Sequence, residues 1–180
     1  DRIKKVVTAG LKRKGLRLLG AIPFDPLLHD PTVGQIMSFL KVKVLCGKEY
    51  LSRRVQNTIV AAMEPYNMVN YLTNGTLVLT SGDRVDNILV AVSTHLVTQD
   101  NKDQIAGIIL TGGLMPNTKI MELLQKSRIP VFISDEDTYT VAGKIDNWIC
   151  KIQKTDKDKI SEARQMVKKF VDVDMIIANL

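Results

Sequence analysis

At 180 residues, with 45% hydrophobic and 24% charged positions, the chain suits one folded globular domain, or one domain with a fragment of another. No run approaches the ~20 apolar residues of a membrane span, so no membrane contact is expected and the protein reads as cytosolic (cytoplasmic). A net charge of +6 raises nucleic-acid binding, but scattered lysines and 5% aromatics argue against such a surface, and Cys46 and Cys150, too few and too far apart for a zinc cluster, read as reduced, buried thiols.

Residues 1–11 read as the end of a helix with Ile3, Val6 and Val7 apolar, and its abrupt opening leads us to expect a longer parent chain. Lys12, Arg13 and Lys14 read as a basic, solvated connection that Gly15 ends, with a phosphate or nucleic-acid patch as the alternative. Residues 16–22 suit a strand that Pro23 stops; Pro23, Pro26 and Pro31 keep the next stretch extended, the best place for a domain boundary. Thr32 and Gln35 have capping-box spacing for a helix carrying Val33, Ile36, Met37 and Leu40. A strand over 42–46, a polar loop over 47–56 and a strand over 58–62 follow. Pro65 suits the first turn of a helix reaching about residue 72, and Asn74-Gly75 is a turn.

The central stretch is residues 77–92. Leu77, Val78, Leu79 and Thr80 lack polar alternation and predict a strand covered on both faces. Ser81 and Gly82 turn the chain. Asp83 then suits a helix cap with Asp86 in capping-box position, ahead of a stripe of Val85, Ile88, Leu89, Val92 and Leu96. Asp100-Asn101-Lys102-Asp103 separates this helix from a strand over 105–110 that ends in Thr111-Gly112-Gly113. Pro116 and Asn117 start a helix with Ile120, Leu123 and Leu124 inward, and a short strand over 129–133 leads to Asp135-Glu136-Asp137. The remainder reads as helical, with one stripe of Val141, Ile145, Trp148 and Ile152, another of Ile160, Ala163, Val167 and Phe170, and a capping box of Thr155 and Asp158 between them. From residue 58 onward the order βαβαβαβαα predicts an α/β three-layer sandwich with a mainly parallel sheet.

Open sheets of this kind place ligands beyond the carboxyl ends of their strands. At that edge, the backbone N–H groups of Ser81, Gly82, Asp83 and Arg84, with the charge of Arg84, suit an anion; the alternative is a cap by Asp83 and a salt bridge from Arg84 to a nearby carboxylate. Thr111, Gly112 and Gly113 share the edge, and paired glycines admit another backbone, a ligand or a partner subunit. Asp135, Glu136 and Asp137, beside Thr138, suit magnesium; helix capping by Asp135 or Asp137 is the favoured alternative. His29 and His95 read as isolated and solvated, Met63, Met68, Met115 and Met121 as core filling, and no catalytic constellation, metal or cofactor is nominated.

Gly82-Asp83-Arg84 with Asp86, followed by Thr111-Gly112-Gly113 at the end of the next strand, resembles the DRTGG domain over roughly residues 31–152, departing from the name motif where Val85 replaces the threonine. Leu18-Leu19-Gly20-Ala21-Ile22-Pro23-Phe24-Asp25-Pro26 is similar to the closing strand of the BioD-like P-loop domain that precedes DRTGG domains in some phosphotransacetylases, although no G-x-x-x-x-G-K-[ST] occurs here. The resemblance implies a BioD-like remnant at 1–30, a DRTGG domain at 31–153 and a helical extension at 154–180. It also implies a non-catalytic regulatory or dimer-forming role, with a homodimer partner, an upstream BioD-like domain and a nucleotide or small anionic metabolite as expected contacts. The alternatives are part of a phosphate acetyltransferase or ATP-dependent ligase-like enzyme, and a nucleic-acid-binding module.

Overall fold

Leu77, Val78 and Leu79, and likewise Ile108, Ile109 and Leu110, are apolar without alternation because both faces of these strands are covered. In the computed structural model, which describes residues 2–97 and 105–178, they form the inner part of a five-stranded sheet. The expected separator Asp100-Asn101-Lys102-Asp103 lies outside the described residues. The order across the sheet is β1 (Lys43–Cys46), β5 (Val131–Ile133), β4 (Gly107–Thr111), β3 (Thr76–Ser81) and β2 (Asn57–Val60). Strands β2 to β5 run parallel, whereas β1 is antiparallel to β5.

Helices cover both faces, giving the expected α/β three-layer sandwich. α4 (Pro65–Met68), α5 (Val85–Val97) and α6 (Thr118–Lys126) join successive parallel strands. Met68, Ile88, Ala91, Val92 and Leu124 from these helices pack with Val78, Ile108, Leu110 and Val131. On the other face, α3 (Val33–Leu40) and α7 (Thr138–Asp146) bring Val33, Ile36 and Val141 against Leu77, Leu79, Ile109 and Phe132. α3 starts with the expected capping box: the Gln35 N–H donates to Thr32 Oγ1 at 3.2 Å and the Thr32 N–H to Gln35 Oε1 at 2.9 Å. The helix after β4 and the helix after β5 therefore pack on opposite faces. That places the topological switch, where such sheets usually open a crevice, between β4 and β5.

Around the sheet, the expected α5 stripe and the core place of Met115 are corrected. On α5 the buried positions are Asn87, Ile88, Ala91 and Val92, while Leu89 and Leu96 are exposed. Asn87 sets this rotation, since its Nδ2 donates to the Ala61 carbonyl oxygen at 2.7 Å. Met115 is exposed rather than core filling. The two thiols, Cys46 and Cys150, are free and half-buried.

The chain divides into two compact units, residues 30–150 and the paired segments 1–29 and 151–180. The second contains α1 (Arg2–Arg13), α2 (Pro26–His29), α8 (Lys157–Phe170) and α9 (Val173–Ile177). The strand expected over 16–22 does not form: Gly20 makes a single antiparallel bridge to Val171, and Leu16 and Ile22, with no sheet beside them, stay exposed. Ile152 lies outside the helices. Thr155 and Asp158 form no capping box, because Asp156 precedes α8 and Asp158 Oδ1 accepts from the Lys159 N–H instead. α8 buries Lys159 and Met166, with Lys159 Nζ donating to the Leu28 carbonyl oxygen at 3.3 Å, so Val167 of the expected stripe faces solvent. Among the described residues, no helix is long and apolar enough to cross a membrane.

His95 is half-buried, contrary to the solvated histidine expected. Its Nδ1 accepts the Ile105 N–H at 3.2 Å, while Arg53 Nη1 donates to the Ile105 carbonyl oxygen at 3.1 Å, so both residues hold the entry to β4. Burial, reinforced by the positive charge of Arg53, holds the His95 pKa below its ordinary value. The unfolded chain therefore takes up this proton first as pH falls. The stability contributed by neutral His95 is complete above about pH 6.5 and is lost as pH falls through that value toward the lower folded pKa. Thermal unfolding followed from about pH 8 to pH 5 should show a steeper loss of Tm for wild type than for His95→Gln; parallel profiles would contradict this linkage.

Candidate functional site

At the carboxyl end of β3 the chain reverses over Gly82 and Asp83. The Gly82 N–H donates to the Thr111 carbonyl oxygen at 3.4 Å, the Arg84 N–H to Ser81 at 3.1 Å, and the Val85 N–H to Asp83 at 2.9 Å. Gly82 is required here by proximity, because a Cβ at this position would fall on the Leu114 carbonyl. The space that glycine opens is filled by the protein's own next loop. Arg84 rather than Asp83 heads α5, since the Ile88 N–H donates to the Arg84 carbonyl oxygen. The Asp83 cap and its box with Asp86 are therefore not formed.

Asp86 instead grips Arg84. Its Oδ1 accepts from Arg84 Nε at 3.0 Å and its Oδ2 from Nη2 at 2.9 Å, a two-pronged pair, while Nη2 also lies 3.4 Å from the Met63 carbonyl oxygen. The fork raises the Arg84 pKa and lowers that of Asp86. Both side chains are well exposed, at 36% and 45%, so the pair fixes the Arg84 orientation more than it stabilises the fold. This is the structural alternative set out from the sequence, with Asp86 as the carboxylate.

The switch between β4 and β5 is closed. Gly112 and Gly113 both take positive φ, 77° and 66°, which turns their N–H groups toward the loop after β5. The Gly112 N–H donates to the Glu136 carbonyl oxygen and the Gly113 N–H to Ser134, each at 2.8 Å. The buried Thr111 hydroxyl lies 3.2 Å from the Thr80 carbonyl oxygen and 2.6 Å from the Thr138 hydroxyl. With its own proton on Thr80, Thr111 receives the proton of Thr138. Three polar links thus join the two turns, and neither glycine N–H remains for an anion.

Helix caps use up further donors. Asn117 Oδ1 accepts the Ile120 N–H at 3.1 Å at the start of α6, and Asp137 caps α7 through the Thr140 N–H at 3.0 Å. Bonds from Thr140 hold the Asp137 pKa down. Glu136 pairs with Lys144. Asp83 and Asp135 are exposed, and no hydrogen bond or ion pair holds either carboxylate among the described residues. Six carboxylates (Glu64, Asp83, Asp86, Asp135, Glu136 and Asp137) thus stand at this edge against Arg84, Lys144 and Lys119, the first two already paired. Between them Leu114 and Met115, and beside them Tyr139, are exposed apolar groups.

All the residues nominated from the sequence lie at one edge, where Thr111, Gly112, Gly113 and Thr138 are bonded into one junction and Ser81, Gly82, Asp83, Arg84 and Asp86 form the neighbouring turn. Among the described residues no group of His, Cys, Asp and Glu could hold a metal ion. Asn87 was missed. Its polar amide on the inward face, one turn before Ala91 and beside Ile88, was the available signal. Among the described residues, Asn87 Oδ1 and Thr80 Oγ1 are buried without a hydrogen-bond partner.

Comparisons with known proteins place these features. The family profile described as the DRTGG domain matches residues 35–148. A phosphate acetyltransferase of Pseudomonas putida is 30% identical over 165 residues, 90% of this chain and 23% of the relative. That of Nitratidesulfovibrio vulgaris is 30% identical over 154 residues, 84% and 22% of the two chains, and that of Escherichia coli 24% over 164 residues, 89% and 22%. The chain spans under a quarter of the length of each of these three relatives. A solved structure of the CBS and DRTGG domains of the regulatory region of Clostridium perfringens pyrophosphatase, complexed with activator, diadenosine tetraphosphate, is similar in fold, with a TM-score of 0.50 and 17% identity over 91% of this chain and 81% of that one.

The close approach at Gly82 yields a sharp expectation. Gly82→Ala should destabilise by about 3 kcal/mol or more, because the Leu114 loop must move and strain the Gly112 and Gly113 bonds. Gly143→Ala, in α7 with open space around its Cβ, should instead stabilise by about 0.5–1 kcal/mol. Chemical denaturation of the two variants checks the pair; equal midpoints would contradict the tight contact.

Proposed function

Because the chain belongs to the DRTGG domain family over residues 35–148, we propose that it is a non-catalytic regulatory and dimer-forming module of a longer phosphate acetyltransferase-type protein, and that its sheet edge receives a second protein surface. The observation that carries this reading is the closed β4–β5 switch. Its glycine N–H groups are engaged internally, its charge is acidic, and it presents Leu114 and Met115 to solvent. A small anion would meet repulsion and find neither glycine amide free, whereas a protein surface with apolar and basic groups gains from the same features. In this reading residues 1–30 belong to a BioD-like domain of the longer chain, which would cover the exposed Ile3, Val6 and Val7 of α1.

A second occupant is a nucleotide, favoured by the complex of the structurally similar regulatory region with diadenosine tetraphosphate. Arg84 would then have to leave Asp86. Light scattering and calorimetry on one preparation separate the two. We expect a concentration-dependent dimer that Leu114→Asp weakens at least about tenfold, equivalent to about 1.4 kcal/mol, and no binding heat with ATP or diadenosine tetraphosphate. A 20.1 kDa monomer at high micromolar concentration, with nucleotide heat that Arg84→Ala abolishes, would overturn the reading.

A further inference from the structure

The described residues present one surface whose charge and spacing mirror the sheet edge. α8 is amphipathic: Lys159 and Met166 face inward, and Lys157, Ile160, Ser161, Arg164, Gln165 and Lys168 line a shallow trough on its outer side. The side chains of Lys157, Arg164 and Lys168 make no ion pair or hydrogen bond among the described residues. Charge is distributed unequally along the chain. The segments 1–29 and 151–180 hold fourteen Lys and Arg against seven Asp and Glu, while residues 30–150 hold eleven against twelve. A basic helical face and an acidic sheet edge thus occur in the same polypeptide.

Their spacings agree. Asp83 follows β3 and Asp135 follows β5, two strands apart, so their turns are separated by about 10 Å at the usual interstrand distance. Leu114 lies in the intervening loop after β4. On α8, Lys157 and Arg164 are seven residues apart, about 10 Å along a helix, with Ile160 between them. The order carboxylate, apolar, carboxylate therefore meets the order cation, apolar, cation at one repeat distance. We propose that the outer face of α8 docks on the sheet edge of a second copy of this chain, with Lys157 and Arg164 against Asp83 and Asp135 and Ile160 against Leu114. A two-fold axis would make the contact twice, since each copy carries both surfaces. This inference rests on the reading of the edge as a protein-docking surface and names what docks there.

Charge reversal tests it without touching a core. The Lys157→Glu/Arg164→Glu variant changes two side chains in exposed positions of α8. It should raise the dimer dissociation constant at least about tenfold, and the Asp83→Lys/Asp135→Lys variant should do the same. Combining all four substitutions should restore the wild-type value within about threefold, because opposite charges again face one another whichever way the helix lies. Far-UV circular dichroism and Tm verify that each variant is folded, and wild-type dimerisation should weaken with added salt. If Leu114→Asp breaks the dimer while both reversals leave it unchanged, the edge is a docking surface and α8 is not its partner. If the fourfold variant stays as weak as either pair, the two faces do not meet. Failure of wild type to dimerise at any concentration would end both the inference and the reading beneath it.

Discussion

Two amide hydrogens organise the carboxyl edge of this sheet. Gly112 and Gly113, both at positive φ, turn their N–H groups from β4 toward the loop after β5 and donate to Glu136 and Ser134. Helices α6 and α7 leave the two strands toward opposite faces, the arrangement that elsewhere opens a binding crevice. Here those hydrogen bonds and the Thr111–Thr138 contact close it. The glycines are needed for the turn itself. Other residues could reach this conformation only with strain, and without it the two loops would part.

Closure has electrostatic consequences. With the carbonyls of Ser134 and Glu136 engaged, the side chains that project from the edge are mainly carboxylates, and the local cations Arg84 and Lys144 are bound to Asp86 and Glu136. Gly82 lets the Leu114 backbone settle against the neighbouring turn, which leaves the Leu114 and Met115 side chains outward. An apolar centre with an acidic border favours a basic protein surface over a phosphate-bearing ligand. In the proposed reading, regulation would act through assembly, by shifting the population of associated chains.

Much of this architecture is legible in the residues. Unalternated apolar runs located the inner strands, and local polar spacing located the Thr32 cap, the start of α6 at Asn117 and, as Asp135 or Asp137, the cap of α7, because each depends on residues within one turn. The nominated site residues also gather at one edge, as strand ends in a parallel sheet must. What spacing could not reveal was the acceptor of each N–H. Asp83 and Asp86 have capping-box spacing in the sequence, yet Asp86 is drawn to Arg84 and the helix starts one residue later than the box requires. The apolar residues 16–22 look like a strand, but a strand needs a partner, and Gly20 finds only Val171. On α8 the long stem of Lys159 allows burial with its Nζ on a carbonyl oxygen, a choice that hydrophobic periodicity ranks last.

Amide hydrogen exchange resolved by residue tests the closed switch most directly. If the Gly112 and Gly113 N–H groups are held by Glu136 and Ser134, both exposed glycines should exchange slowly, with protection near that of the Ile108 and Leu110 amides in β4. Exchange of both at the rate of an unprotected loop would show that the crevice opens, and that its donors stand free for a ligand.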